Sequence, residues 1–447
     1  MSATTVPYDL PPAAPPPPSF TRIPSYSAEP QAYEQRLALN PRLRPRPSGE
    51  FTKHSKAGGL ALRFLGQEEH VPAPVYGIED VIEGIVDIAK TDGVQAVDIK
   101  MKGTLRLKEI AEGGQVNYEL CISRQSLWNK DRDPGPCPSS LSFSLQLPRK
   151  FSDGRTEYPL PPSHEAHMSG LPGFRAKVEY VVTATIDRGI VKKATSFFPK
   201  ADNNSISTEL AYYPRSRPAV PLPPPMTIDH KSGIIESPQW RCFQSVIPAH
   251  GHNIEDIRTK LYIPASRVFS ISEPIPFHLV LNSTAYSLAA FTPYGPTASL
   301  LSPHKQHTRL QLLRQSIVDV RNEVIFGTKT DIWRVSNIGN GTFRRGTDGV
   351  DFLSFYGEIR ISDEVKVGSF RAGGLSVRDF ILLTMIPPDV TKSPFKELRQ
   401  AIPVRLTTNA FAYDGTIILD SLAYDDHSPP SSEDDVSSQR IANYGEF

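Results

Sequence analysis

Apolar and polar residues alternate with a period of two along most of this chain, and helical spacing is scarce. Val97, Ile99 and Met101 point one way while Asp98, Lys100 and Lys102 point the other. That is the signature of a strand with one packed and one wet face. Val81–Ile88, preceded by the turn-like Gly77-Ile78-Glu79-Asp80, follows the same rule, as do Val116–Ile122, Leu141–Leu147 and Val178–Ile186. In the second half the pattern predicts strands at Leu261–Ile263, Ile275–Leu281, Leu310–Val320, Tyr356–Ile361, Phe380–Ile386 and Ile402–Thr408. Only Ser393–Gln400 carries a spacing compatible with a short helix, and Gly339-Asn340-Gly341 has the form of a hairpin turn. The run Phe269–Leu281 parallels Tyr76–Ile88: an aromatic residue, a polar turn with an acid, then alternating apolar positions. A weak duplication of this kind predicts two related β-sandwiches in tandem.

Composition sharpens the division. With 43 prolines among 447 residues, the chain is poor in long helices by construction. Residues 1–50 contain Pro15–Pro18 and the run PRLRPRP at 41–47, and are expected to form a disordered polyproline-type tail. Residues 213–235, opening with YPRSRPAVPLPPP, are expected to link two sandwiches at 51–212 and 236–424. Residues 425–447, rich in Ser and acid, form the expected second disordered tail. The fold class is therefore all-β, with two immunoglobulin-like antiparallel sandwiches between Pro-rich and acidic tails.

Net charge is +1, so no global field draws the chain to nucleic acid or anionic membrane. The three cysteines, Cys121, Cys137 and Cys242, offer neither a disulfide ladder nor a CxxC metal pair. The N-terminus lacks a signal-peptide pattern, and Phe380–Ile386 is far too short to span a bilayer. A cytoplasmic chain follows from these signs, not an integral membrane protein, and its three glycosylation-type sequons should be inert there.

No catalytic constellation emerges, and no cofactor or metal is expected. His164 and His167 have the wrong interval for a two-histidine zinc helix and follow two prolines, so a loop is expected there. His250-Gly251-His252 is expected to be a turn, and there is neither a nucleophile elbow nor a Walker loop. Trp128, Trp240 and Trp333 are isolated and fit packing better than base stacking. One row has binding chemistry: Lys100, Lys102, Arg106 and Lys108 alternate along one strand and its continuation. They place positive charge on one face, a platform for acidic or phosphorylated segments or an ordinary solvated sheet surface.

Several segments resemble the arrestin family. VYGIEDVIEGIVDI at 75–88 is similar to the opening of an arrestin N-domain, with Gly103 after Val97–Lys102 fitting the next sandwich strand. Leu160-Pro161-Pro162-Ser163, followed by Phe174 through Tyr180–Ala184, resembles the family's Pro-Ser and Y-x-V-x-A segment. Phe269–Asn282 and Gly368–Leu383 resemble the arrestin C-domain. Over residues 58–212 and 236–410 the order of these segments is most similar to α-arrestins, the arrestin-related trafficking adaptors. The resemblance implies a cytosolic adaptor that binds cytosolic regions of membrane transporters or receptors and links them to endocytic sorting or a WW-domain ubiquitin ligase. Recruitment would place it at the plasma membrane or endosomes. The ligase-recruiting Pro-Pro-x-Tyr element is absent; the nearest approaches are Pro24 with Tyr26, and Pro223 with Pro224. Ser428, Ser431 and Ser432 stand in phosphorylation contexts and could tune the basic face. The alternative is a structural subunit of a retromer-type endosomal coat, which shares the tandem-sandwich fold.

Overall fold

The computed structural model describes residues 33–37, 48–56, 58–110, 114–188, 204–229, 233–250, 253–296, 307–321, 329–389 and 391–412. Within them the protein is all-β, and the one α-helix is Ala285–Phe291, capped by Thr284. No helix there is long and apolar enough to cross a membrane.

The first half is a sandwich of two layers, antiparallel except where Val75–Tyr76 pairs parallel with Ser205–Tyr212. One has four strands in the order Gly49–His54, Leu60–Gln67, Val81–Ile88, Ser140–Gln146. The other runs Val75–Tyr76, Ser205–Tyr212, Phe174–Asp187, Ala96–Glu109, Gln115–Asn129, with His164–Met168 also paired to Phe174–Asp187. Alternation does what the sequence pattern requires: Leu62, Phe64, Ile82 and Val86 of one layer meet Val97, Ile99, Met101, Leu105 and Tyr180 of the other in one buried core. Removing these side chains from water supplies the main drive for the layers to stack, at about 25 cal/mol per Å² of apolar surface. Two mid-strand glycines let large rings lie flat on the sheet. A side chain at Gly84 would strike the Phe143 ring, and one at Gly103 the Tyr180 ring. The Tyr180 hydroxyl, fully buried, donates to the Pro161 carbonyl at 2.6 Å.

The second half is one ten-stranded sheet, ordered Trp240–Ile247, Ile257–Pro264, Ile275–Asn282, Phe352–Ile361, Lys329–Arg345, Thr308–Arg321, Leu375–Met385, Leu398–Thr407, Val268–Ser270, with Phe370–Ala372 beside Leu375–Met385. It curls so that strands 240–247 and 398–407 come together: Gln400 Nε2 donates to the Gln244 carbonyl at 3.2 Å, and Ser245 Oγ to Gln400 Oε1. The curl encloses Leu261, Phe277, Leu279, Leu312, Ile381 and Phe395.

Four local expectations change. Leu398–Thr407 is a strand, so most of the expected Ser393–Gln400 helix is replaced by sheet and coil; pairing with Leu375–Met385 buries its alternate residues. Gly339-Asn340-Gly341 lies inside strand 329–345, where the ladder shifts register between Leu312 and Leu313. Gly339 is there because a Cβ would strike the Arg360 carbonyl of the next strand. His164–Met168 is a strand, since its pairing with Phe174–Val178 satisfies backbone groups that a loop would leave open. Inside the stretch expected as a disordered tail, Glu34–Leu37 pairs with Arg215–Pro218, and Gly49 opens the first layer.

Part of the second half enters the first core. Val318, Val320 and Ile332, with Ala372, Leu375 and Val377, belong to the same buried cluster as the first sandwich. The hairpin joining Phe370–Ala372 to Leu375–Met385 is the wedge. Its Gly373, at φ 51°, abuts the Tyr118 ring, and a side chain at Gly374 would meet Leu107.

Candidate binding surface

Strand 96–109 buries its odd-numbered residues and turns its even ones outward. Lys100, Lys102, Arg106 and Lys108 therefore do share the outer face of the six-stranded layer. The neighbouring strands complete it by register: Arg124 lies across from Lys100, Lys177 from Arg106, and Arg175 from Lys108.

Acids on the same face neutralise part of the row. Lys102 Nζ is 3.3 Å from Glu119, and Arg106 Nη2 is 2.5 Å from Glu179. Lys177 reaches Glu179 at 2.7 Å and Glu209 at 3.4 Å, while Arg175 Nη2 reaches Glu165 at 2.9 Å. Burial pushes the Glu179 carboxyl toward protonation, but Lys177, Arg106 and Thr104 outweigh it, so its pKa falls below the ordinary value. Lys100, Arg124 and Lys108 have no ion-pair partner among the described residues. Lys100 and Arg124 are directly opposed, an arrangement that costs stability when nothing lies between the charges. Beside them Thr183 and Ser207 share a hydrogen bond of 2.9 Å, adding hydroxyls to the same end of the face. Two opposed cations flanked by hydroxyls can receive a carboxylate or a phosphate. Arg124 was not among the residues singled out by sequence; continuing the alternation of Val116, Tyr118 and Leu120 would turn it inward, and the register shift opposite Gly103 turns it outward beside Lys100.

The other sequence-predicted positions are scattered. Pro24, Tyr26, Ser428, Ser431 and Ser432 lie outside the described residues. Pro223 is half-buried and Pro224 exposed, but this stretch is not a free spacer. The Pro224 carbonyl accepts the indole N–H of Trp240 at 3.1 Å, Leu222 packs on the second core, and Met226 is buried against Trp240, Tyr262 and Phe352. Trp240 sits buried with one donor to satisfy, which draws the proline run onto the second half. Trp128 is buried and Trp333 half-buried, in keeping with packing.

A buried polar group at the junction was missed. Arg314 and Asp379 face each other across strands 308–321 and 375–385, joined by Nε–Oδ1 at 2.8 Å and Nη2–Oδ2 at 3.0 Å. Ser369 Oγ donates to Asp379 at 2.7 Å, and Arg314 Nη2 also donates to the Val367 carbonyl. His164 of the first half stacks edge-on against Phe370, with Nε2 buried and lacking a hydrogen-bond partner among the described residues. Burial pushes its pKa down to about 4, and nearby Arg314 pushes the same way against Asp379 and Glu165. The sequence signal was present: Arg314 and Asp379 interrupt the apolar runs LQLLRQSIVDV and LSVRDFILL.

No known protein family matches this sequence, and no curated protein matches it either.

Proposed function

We propose that this protein is a non-catalytic, arrestin-like adaptor whose first sandwich receives an acidic or phosphorylated segment of a membrane transporter or receptor on the face carrying Lys100 and Arg124. The supporting observation is that directly opposed pair, left without a carboxylate on a face where the other named bases except Lys108 are paired. A structural role would favour an acid between them; an open pair favours an external anion. Engagement of a second partner, such as a WW-domain ubiquitin ligase or sorting machinery, falls to the segments around Pro24 and Tyr26, raising that partner's effective concentration at the cargo. Phosphorylation at Ser428, Ser431 or Ser432 would supply a competing anion in cis.

The test is titration of a fluorescent acidic or phosphorylated cargo-type peptide against the full chain. Lys100→Glu with Arg124→Glu should weaken binding by about tenfold or more and flatten its salt dependence. Lys102→Glu should matter less, because Glu119 already holds that ammonium. Equal affinity of wild type and the double variant would remove this face from the adaptor reading.

A further inference from the structure

Strand Glu34–Leu37 is four residues long and, among the described residues, pairs only with Arg215–Pro218, in the segment between the two halves. The register is Glu34 to Pro218, Gln35 to Arg217, Arg36 to Ser216 and Leu37 to Arg215. The opposite side of Arg215–Pro218 is fixed to the second half: Ser216 N–H donates to Thr408 Oγ1 at 2.9 Å, and Asn409 N–H to the Ser216 carbonyl. The segment between the halves is thus an anchored strand with one edge presented outward, and residues 34–37 cover that edge.

Two guanidiniums face the covering strand. Arg405, from strand 398–407, grips Glu34 with Nε–Oε2 at 2.5 Å and Nη2–Oε1 at 3.0 Å. Arg217, itself buried, donates from Nε to Gln35 Oε1 at 3.1 Å. The Glu34 carboxylate is 4% exposed, so the ion pair is withdrawn from water. Without that carboxylate Arg405 would keep a largely desolvated charge, which is strongly unfavourable. The slot therefore demands an anion. The strand is short, and just before it the Tyr33 carbonyl accepts the Ala219 N–H at 2.6 Å. Its ladder spans four residues and ends at Tyr33, whose φ of 67° is unfavourable for a residue with a side chain and whose ring is exposed.

We propose that the outer edge of Arg215–Pro218 is a strand-addition site for extended peptides, reading a carboxylate at Arg405 and a neighbouring amide or carboxylate at Arg217, and that residues 33–37 occupy it in cis. Main-chain pairing supplies sequence-independent affinity, and the two arginines supply the selection. The site lies between the halves and is separate from the Lys100–Arg124 face, so an incoming partner must carry an acidic strand that outcompetes the chain's own. A tethered occupant raises the threshold for that competition through its high effective concentration.

The test uses the full-length chain and a labelled peptide of residues 31–40, QAYEQRLALN. Glu34→Arg places a cation against Arg405 and should expel the covering strand, so this variant should bind the peptide while wild type binds about tenfold or more weakly. The same peptide carrying Gln in place of Glu34 should lose about tenfold or more in affinity for the variant. Adding Arg405→Glu to Glu34→Arg re-creates an opposite-charge pair in cis and should close the site again. Far-UV circular dichroism checks that the sheet content survives, and Glu34→Gln replaces the harsher variant if it does not. No peptide binding by a folded open variant, or equal binding by wild type and variant, overturns the proposal. So does a wild-type dimer that peptide converts to monomer, because the covering strand would then come from a second copy.

Discussion

Arginine meets carboxylate in two very different settings here. At the junction, Arg314 and Asp379 are both buried, held by two parallel hydrogen bonds, and braced by Ser369 and the Val367 carbonyl. On the outer face of the first sandwich, Arg175 meets Glu165 at almost the same distance, yet both side chains are substantially exposed. Water screens the exposed pair and can replace either partner. The buried pair has no such replacement, so its geometry is obligatory once the surrounding strands close. Equal distances therefore carry unequal consequences: one pair fixes how two layers meet, the other tunes a surface that remains available for exchange.

The sharpest test breaks the buried pair from one side. Asp379→Ala strands the Arg314 guanidinium and should cost about 3–5 kcal/mol of unfolding free energy, measured by urea denaturation. A loss below about 1 kcal/mol would mean the pair is not desolvated in solution. Replacing both partners, Arg314→Met with Asp379→Leu, should recover most of that loss, because no uncompensated charge remains. Losses that simply add would contradict the account.

Acid provides the next contrast. The depressed pKa of His164 means that the unfolded chain takes up a proton which the folded chain resists. The stability tied to this ring is complete above its ordinary pKa of 6.5 and drains away as pH falls toward about 4. The slope is at most about 1.4 kcal/mol per pH unit, and His164→Phe should flatten it in melts run across that window. An unchanged slope would place the acid sensitivity elsewhere. The smallest effect belongs to the exposed pair: Arg175→Ala should shift stability by less than about 1 kcal/mol and by still less in high salt.

Much of the architecture could be read from alternation alone, because a strand with one wet face writes its burial into every second residue. Ala96–Glu109 is the clearest instance, and the outward row of Lys100, Lys102, Arg106 and Lys108 followed directly. What alternation cannot reveal is which strand lies next door. Arg124 becomes part of the surface only through its register with Lys100, and Glu119 and Glu179 blunt the row only through theirs. Local turn chemistry misled at Gly339-Asn340-Gly341, where the glycine serves close strand approach and not reversal. Proline content misled at residues 213–225: four of them form a strand, and a buried tryptophan claims a carbonyl from the proline run. Strands at 34–37 and 215–218 have no hydrophobic alternation, since charge and backbone pairing hold them.

The wedge formed by residues 370–377 bears on how the chain is made. A ribosome releases the first sandwich well before Val318, Ala372, Leu375 and Val377 emerge, yet those residues fill part of its interior. The nascent first half must wait with an apolar breach toward solvent, and maturation is completed by insertion from behind. Release of truncated nascent chains ending near residue 300 should then yield a protease-sensitive product, whereas chains extending past residue 385 should resist digestion throughout the first half.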